Sequence, residues 1–263
     1  MVTPAEGAAL LVRDVSKTFR AADGGSVNAL EGVSLDVAGG EMVALVGPSG
    51  CGKSTLLRMV AGLDAPTRGE LRVGPEPVTG PGAGRGLMFQ DPSLFPWLTV
   101  RRNVESGLVA QGVLRQRRHE VDELLALTGL TAFAGAYPHQ LSGGMAQRAA
   151  LARALVTHPR VLLLDEPLGA LDQFTRMRMQ DEILRLWRAR GTTMVLVTHD
   201  IDEAIYMCDR ILILSPRPGR VERVIDVGLG RPRDRTDRRF LALRSELLEA
   251  LHLTGRDAGG ARA

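Results

Sequence analysis

One glycine-rich stretch has residue types and a spacing that suit phosphate binding: Gly47, Pro48, Ser49, Gly50, Cys51, Gly52, Lys53, Ser54 and Thr55. Glycines let the backbone form a concave nest of inward-pointing N–H groups, and a helix that begins at Lys53 adds the positive end of its dipole. Lys53 can then reach the outer phosphates of a nucleotide, and the Ser54 hydroxyl can bind Mg²⁺. The stretch predicts a nucleotide-binding loop, for which an ordinary flexible loop is the alternative.

Lysine is rare in this chain. Only Lys17 and Lys53 are lysines, and all other members of the Lys and Arg class are arginines. A compact ammonium group fits among phosphate oxygens better than a planar guanidinium fork does. The presence of lysine at position 53 therefore supports a phosphate contact there.

Polar side chains follow three apolar segments that are typical of buried parallel strands. They are Gln90 after residues 86–89, Asp165 and Glu166 after residues 161–164, and His199 after residues 194–198. A fourth such segment, residues 42–46, leads into the glycine-rich stretch. Because ligand-binding groups of open α/β sheets lie at the carboxyl ends of the strands, we expect these side chains to face one cleft.

The chemistry of these side chains suits a bound nucleotide. Asp165 fits an acid that holds Mg²⁺, and Glu166 fits a base that orients the attacking water. The neutral carbonyl of Gln90 can bind Mg²⁺, and His199 can contact a γ-phosphate. The alternative for His199 is a structural role. The alternative for Asp165 and Glu166 is a pair of surface acids, which the apolar strand before them disfavours.

A second helix start of the kind that binds anions is predicted at Ser142, Gly143 and Gly144. Apolar residues recur at helical spacing from residue 145 to residue 156, which places the three residues at a helix N-terminus. A helix cap with a glycine hinge is the simpler interpretation. A second phosphate contact is the other, because the same chain already carries a phosphate-binding loop.

Bulk properties indicate an ordered α/β chain. With 263 residues, 44% of them apolar, there is ample material for a core, and a formal charge of +3 does not argue for nucleic-acid binding. Cys51 and Cys208 have no metal-ligand spacing and are expected to be free thiols in a reducing compartment. No signal peptide is recognised, and no apolar run approaches the roughly 18 residues of a membrane span. The chain is expected to be soluble and cytoplasmic.

The first forty residues predict a separate antiparallel sheet. Side chains at 10–15 and 33–37 alternate with a period of two, as half-buried strands do. Phe19 lies between these segments. It is either a core or hairpin aromatic, or a face on which adenine stacks.

Residues 91–98 form a proline-containing loop that is unusually apolar. Phe95 and Trp97 either fold back into a core or form an exposed patch, and an exposed apolar patch commonly marks a protein contact. Two segments with helical periodicity, 100–111 and 117–127, follow the loop.

The motifs, taken in order, resemble those of the ATP-binding cassette (ABC) ATPases over essentially the whole chain. They are the loop at 47–55, Gln90, Leu141-Ser142-Gly143-Gly144, Leu164-Asp165-Glu166-Pro167, Leu171-Asp172 and His199. The resemblance implies an α/β fold with a P-loop NTPase parallel-sheet core, an N-terminal antiparallel β subdomain and an inserted α-helical subdomain at about 91–158. It implies one nucleotide-binding domain over 1–253, and residues 254–263 are predicted to be a disordered tail.

The resemblance also assigns a role to each candidate residue. ATP binds the loop and Phe19 stacks on its adenine, while Ser54, Gln90 and Asp165 hold Mg²⁺. Glu166, His199 and Lys53 are the catalytic residues. Ser142, Gly143 and Gly144 close over the ATP of a second copy, so two ATP molecules lie between two chains.

Two segments are similar to the nitrate, sulfonate and taurine importer ATPases of bacteria. They are residues 90–100 and residues 215–220. Met145, where the wider family usually has Gln, is common in that branch. Gly169 stands where Ser is more usual, which is a departure from the pattern.

The resemblance implies the ATP-hydrolysing subunit of a bacterial importer for a solute of the aliphatic sulfonate, taurine or nitrate type. It implies partners: a second copy, a membrane permease that contacts the region after Gln90, and indirectly a periplasmic or lipid-anchored solute-binding protein. It places the chain peripherally on the cytoplasmic face of the membrane, without nucleic acid. The alternative is a soluble ABC ATPase that acts on nucleic acid or ribosomes.

Overall fold

The computed structural model describes residues 7–20 and 24–257. The strands are β1 (Leu10–Arg20), β2 (Ser26–Val37), β3 (Met42–Val46), β4 (Arg68–Val73), β5 (Glu76–Pro77), β6 (Arg85–Met88), β7 (Val161–Asp165), β8 (Thr193–Val197), β9 (Arg210–Leu214) and β10 (Val221–Asp226). The α-helices are α1 (Lys53–Ala61), α2 (Val100–Ala110), α3 (Leu114–Leu127), α4 (Gly143–Leu155), α5 (Gln173–Arg190), α6 (Ile201–Met207) and α7 (Arg238–Asp257).

The central sheet has the strand order β10-β9-β3-β8-β7-β6, and only β10 runs antiparallel to its neighbour. Every residue of β3, β7 and β8 is buried. In β3, Met42 and Ala44 pack in one apolar cluster while Val43 and Leu45 pack in another. Because successive side chains of a strand point to opposite faces, both faces of the sheet are covered, which explains the continuous apolar segments.

The register of the central sheet brings the carboxyl ends of four strands together. Leu45 of β3 pairs with Val197 of β8, and Val197 also pairs with Asp165 of β7. Leu164, the residue before Asp165, pairs with Met88 of β6. The loops after these strands therefore leave the same edge of the sheet, as the sequence predicts.

A second sheet, β2-β1-β4-β5, is antiparallel and packs on the apolar cluster that includes α1. Phe19 lies near the end of β1, opposite Val27, and 39% of its surface is exposed. It is therefore not a core aromatic. Lys17, the second lysine, places its Nζ atom 4.9 Å from the centre of the Phe19 ring. The predicted combination of a parallel core and an N-terminal antiparallel sheet is confirmed.

Helices α2, α3 and α4 follow one another between β6 and β7. The loop before α2 leaves Phe95 39% and Trp97 70% exposed, so the interpretation in which both rings fold into a core is wrong. Asn103, which is fully buried, fixes this loop: its side-chain oxygen accepts from Phe95 N at 2.8 Å, and its amide nitrogen donates to Leu98 O at 3.0 Å. The rings are held outside the core by these bonds.

Helix α7 continues to Asp257, past the domain boundary predicted at residue 253. Residues 258–263 of the predicted tail lie outside the described residues. Among residues 7–20 and 24–257, no helix combines the length and the apolar character that crossing a membrane requires.

A half-buried polar cluster links α3 to the segment after α4. The Nε2 atom of His158 lies 2.5 Å from Glu120 Oε2, and Arg117 donates to the same carboxylate at 2.8 Å. Burial, reinforced by the charge of Arg190, lowers the pKa of His158 to about 4. His158 also has a φ of 51°, in the left-handed region, which histidine and asparagine tolerate better than most residues.

The low pKa of His158 predicts that stability falls as the pH drops from about 6.5 to about 4, because the unfolded chain binds a proton in this window that the folded chain excludes. Because the His158 side chain is partly exposed, solvent screening keeps the loss below the roughly 3.4 kcal/mol that an unscreened shift of the pKa from 6.5 to about 4 represents. His158→Asn keeps a residue that tolerates the left-handed region and removes the titration. Thermal unfolding across this pH window should therefore change less in the variant than in the wild type. Parallel pH profiles for the two proteins would contradict the assignment.

Candidate nucleotide-binding site

The glycine-rich loop connects the carboxyl end of β3 to α1. Gly50 and Gly52 have φ angles of 77° and 98°, in the left-handed region that favours glycine. A Cβ atom on Gly52 would lie 2.5 Å from Leu30 Cδ2, so β2 leaves no space for a side chain there. Helix α1 then begins at Lys53 without a side-chain cap. Its first N–H groups face the loop and are available to an anion.

Lys53 is nearly buried inside this loop. Its ammonium group donates to Gly47 O at 2.8 Å and to Pro48 O at 2.9 Å, and lies 3.5 Å from Cys51 Sγ. Because the group bonds to two carbonyls of the loop itself, it is held at the surface that a phosphate chain would occupy. Cys51 is fully buried, so it contributes its backbone rather than its thiol.

A cleft of about 520 Å³ opens above the loop. Its lining residues are Phe19, Val27, Ala29, Gly47, Ser49, Gly50, Gly52, Lys53, Ser54, Thr55, Gln90, Glu166, Val197, His199 and Arg217. The wall of the cleft thus contains the aromatic ring of Phe19, the glycine-rich loop, the Glu166 carboxylate and the His199 imidazole. Val27, Ala29, Val197 and Arg217 are additions to the residues predicted from sequence.

Asp165 lies at the end of β7, behind the lining of the cleft. Burial raises the pKa of its carboxyl, and the Glu166 carboxylate adds to this, while a hydrogen bond from the Ser54 hydroxyl and the charge of Lys53 oppose it. A buried carboxylate is costly unless hydrogen bonds and a cation compensate its charge. Together with the Gln90 amide oxygen, these oxygen donors fit Mg²⁺, which keeps several waters and phosphate oxygens as its other ligands.

Glu166 lies in the same cleft with an unusual backbone. Its φ is 48°, in the left-handed region, which costs a non-glycine residue of the order of 1–3 kcal/mol. The Oε2 atom accepts from Gln90 Nε2 at 3.1 Å and lies 3.5 Å from His199 Nδ1. The structure thus brings together three of the predicted residues, which leave three different strand ends. A carboxylate held in this way can accept a proton from water.

Gln147 of α4 holds the backbone of Glu166, although the sequence predicts no role for Gln147. Its amide nitrogen donates to Glu166 O at 2.8 Å, and its amide oxygen accepts from Ala170 N at 2.9 Å. Gln147 is buried. The side chain therefore ties α4 to the backbone of Glu166 and to the loop after it.

Ser142, Gly143 and Gly144 stand at the start of α4, and none of them lines the cleft of their own chain. The Ser142 hydroxyl caps the helix by accepting from Met145 N at 3.3 Å. Ser142 and Gly143 are exposed, and a Cβ atom on Gly143 would meet nothing within 4 Å. The helix start is therefore open to a ligand or to another chain.

Comparison with known proteins identifies the family. The family model described as ABC transporter matches residues 30–169. An ATP-binding protein of Brucella abortus is 50% identical over 232 residues, which cover 87% of this chain and 89% of the relative. The aliphatic sulfonates import ATP-binding protein of Bacillus subtilis is 47% identical over 225 residues, covering 86% of this chain and 88% of the relative.

A solved structure agrees with these relatives. A dimeric ATP-binding cassette in a post-hydrolysis state, bound to ADP and Pi, superposes with a TM-score of 0.76 at 34% identity. The match covers 84% of this chain and all of that one. The resemblance to the ABC ATPases, and to their sulfonate and nitrate branch, is confirmed. The chain therefore belongs to the ABC transporter family, as one of its ATP-binding and ATP-hydrolysing subunits.

Proposed function

We propose that the chain is the ATPase subunit of a bacterial importer, and that its cargo is a small anionic solute of the aliphatic sulfonate type. The observation that carries the ATPase part is the cleft in which Lys53, Glu166 and His199 meet. Similarity to the aliphatic sulfonates import protein of Bacillus subtilis supports the cargo class.

In the proposed reaction, ATP lies in the cleft with its adenine on Phe19 and its phosphates in the loop at 47–55. Lys53 leaves the carbonyls of Gly47 and Pro48 for the phosphate oxygens. Ser54, Gln90 and Asp165 would hold Mg²⁺, which would supply positive charge against the phosphates. The cleft supplies charge and position, which phosphoryl transfer requires more than covalent chemistry.

Glu166 is the proposed base and His199 its partner at the γ-phosphate. The carboxylate accepts a proton from the attacking water, and the hydrogen bond from Gln90 directs its Oε2 atom. The imidazole of His199, 71% exposed, is free to donate to the transferred phosphate. Gln147 holds the strained backbone of Glu166 in place.

We propose that a second copy completes the site. Its Ser142, Gly143 and Gly144 close over the γ-phosphate, since Ser142 and Gly143 are exposed at a helix start and all three residues lie outside the cleft of their own chain. Closure of the dimer around two ATP molecules is then the mechanical output. The dimeric state of the solved cassette supports this arrangement.

The proposed permease contact is the patch formed by Phe95 and Trp97. Their rings lie 5.6 Å apart and are exposed, although Asn103 and Arg153 fix the loop that carries them. A rigid loop with exposed aromatic rings is typical of a protein contact. Through this contact the chain would sit on the cytoplasmic face of the membrane, with a solute-binding protein beyond the permease.

Reconstitution tests the cargo. The chain would be assembled with its permease and solute-binding protein, and ATP turnover measured with sulfonates, taurine or nitrate. Stimulation by a sulfonate is expected. Stimulation by nitrate alone would overturn the cargo class, and salt-sensitive DNA binding by the purified chain would favour the nucleic-acid alternative, which the relatives do not favour.

Trp97→Ala is expected to reduce copurification with the permease by at least tenfold, since truncating a central aromatic at an interface costs about 2 kcal/mol or more. ATP turnover by the isolated chain should be unchanged, because Trp97 lies outside the cleft. Val224→Ala, at another exposed apolar side chain, is the matched control. Equal copurification of wild type and Trp97→Ala would remove the patch from the permease contact.

A further inference from the structure

Arg217 enters the nucleotide cleft from a loop to which no role in nucleotide binding has been given. The loop follows β9 and its Arg217 side chain is one wall of the cleft. The guanidinium Nε donates to Gly50 O at 3.3 Å. Its Nη2 atom would lie 3.2 Å from a Cβ atom on Gly50, so the fork lies directly against the phosphate-binding loop.

The backbone that carries Arg217 is fixed from both sides. Gly219 N donates to Ala29 O at 3.0 Å, and Gly219 O accepts from Glu31 N at 3.0 Å, which joins the loop to β2. A Cβ atom on Gly219 would lie 1.9 Å from Cys51 O, so the loop also packs on the phosphate-binding loop itself. Arg217 is thus presented from a rigid support.

The charge of Arg217 is uncompensated among the residues that the structure describes. Its neighbour Arg220 pairs with Glu31 at 2.7 Å, whereas Arg217 has no ion pair there and bonds only to the Gly50 carbonyl. A guanidinium fork binds phosphate oxygens by two parallel hydrogen bonds. An exposed cation held against a phosphate-binding loop has the geometry of a phosphate ligand.

We propose that Arg217 is a nucleotide-binding residue, whose guanidinium contacts the phosphate chain of the nucleotide bound in its own chain. Its contact acts in ground-state binding. Arg217 is carried by the loop after β9, whereas Glu166 follows β7. The proposal rests on the proposed use of ATP in this cleft. It adds a cation from the loop after β9 to the lysine that α1 supplies.

Fluorescent ADP, labelled on the ribose with a methylanthraniloyl group, measures this contact in a single chain. Arg217→Ala is expected to raise the Kd for ADP about tenfold, as expected for loss of one charge-assisted contact. Arg217→Lys should lie between the two. Arg220→Ala, whose charge already pairs with Glu31, is the matched control and should bind as the wild type does. The Arg217 variants should raise the KM for ATP in parallel with the Kd for ADP, and they should change kcat less.

Each result decides between specific alternatives. Equal ADP affinity in wild type and Arg217→Ala overturns the proposal, and so does normal ADP affinity with weakened ATP-driven dimerisation, which would make Arg217 a partner contact. A fall in melting temperature that Arg217→Lys does not rescue would indicate a structural role only. Failure of the wild type to bind ADP or ATP would instead refute the proposed function.

Discussion

Glu166→Gln is expected to lower kcat for ATP hydrolysis by about 10²–10⁴-fold, the usual contribution of a general base. The amide keeps the size of the side chain and can still bond to Gln90, so the strained backbone at position 166 should be retained. ATP should therefore bind with nearly unchanged affinity. Release of phosphate at saturating ATP and Mg²⁺, with the Kd for ATP measured separately, checks both statements.

Gln90→Ala is a useful companion to this variant, because Gln90 contacts the Glu166 carboxylate at 3.1 Å but has no acid–base function of its own. A base role for Glu166 predicts a larger loss of kcat in Glu166→Gln than in Gln90→Ala. Brisk turnover by Glu166→Gln would remove Glu166 from the role of base.

Gly143→Asp is expected to abolish ATP turnover, with a loss of at least about 100-fold, while ADP binding to the single chain stays normal. The position is open, since a Cβ atom there meets nothing within 4 Å, and an acidic residue at a helix start favours folding. The added carboxylate would face the phosphates bound by the second copy, and like charges brought together across an interface cost several kcal/mol.

Gly143→Ala is the matched control for Gly143→Asp, because it adds the same Cβ atom without the charge. It should retain most of the turnover. An equal loss in both variants would indicate that shape rather than charge matters at this helix start. Normal turnover in Gly143→Asp would contradict a phosphate contact by the second copy.

Local patterns in the sequence predict the nucleotide-binding loop and the strand ends well. The apolar segments before Asp165 and His199 are buried strands because both faces of the parallel sheet are covered. The direction of parallel strands then places the two residues at one edge. The positions of Lys53, Glu166 and His199 in one cleft follow from these two rules.

Contacts between segments distant in sequence escape such reasoning. Arg217 reaches a glycine 167 residues earlier in the chain, because β9 happens to lie beside β3. Gln147 holds the Glu166 backbone from a different helix, and no local pattern marks that bond. The outward position of Phe95 and Trp97 likewise depends on Asn103, whose burial could be read only from the packing of α2.

The central claim is that the unit of function is a pair of chains closed around ATP, and the mass of Glu166→Gln in solution tests it most directly. The chain has a mass of 28.3 kDa. With saturating ATP the variant is predicted to sediment at twice this mass, and with ADP at the mass of one chain. Adding Gly143→Asp to it should prevent the dimer. A Glu166→Gln protein that binds ATP fully and stays at the mass of one chain would contradict the account.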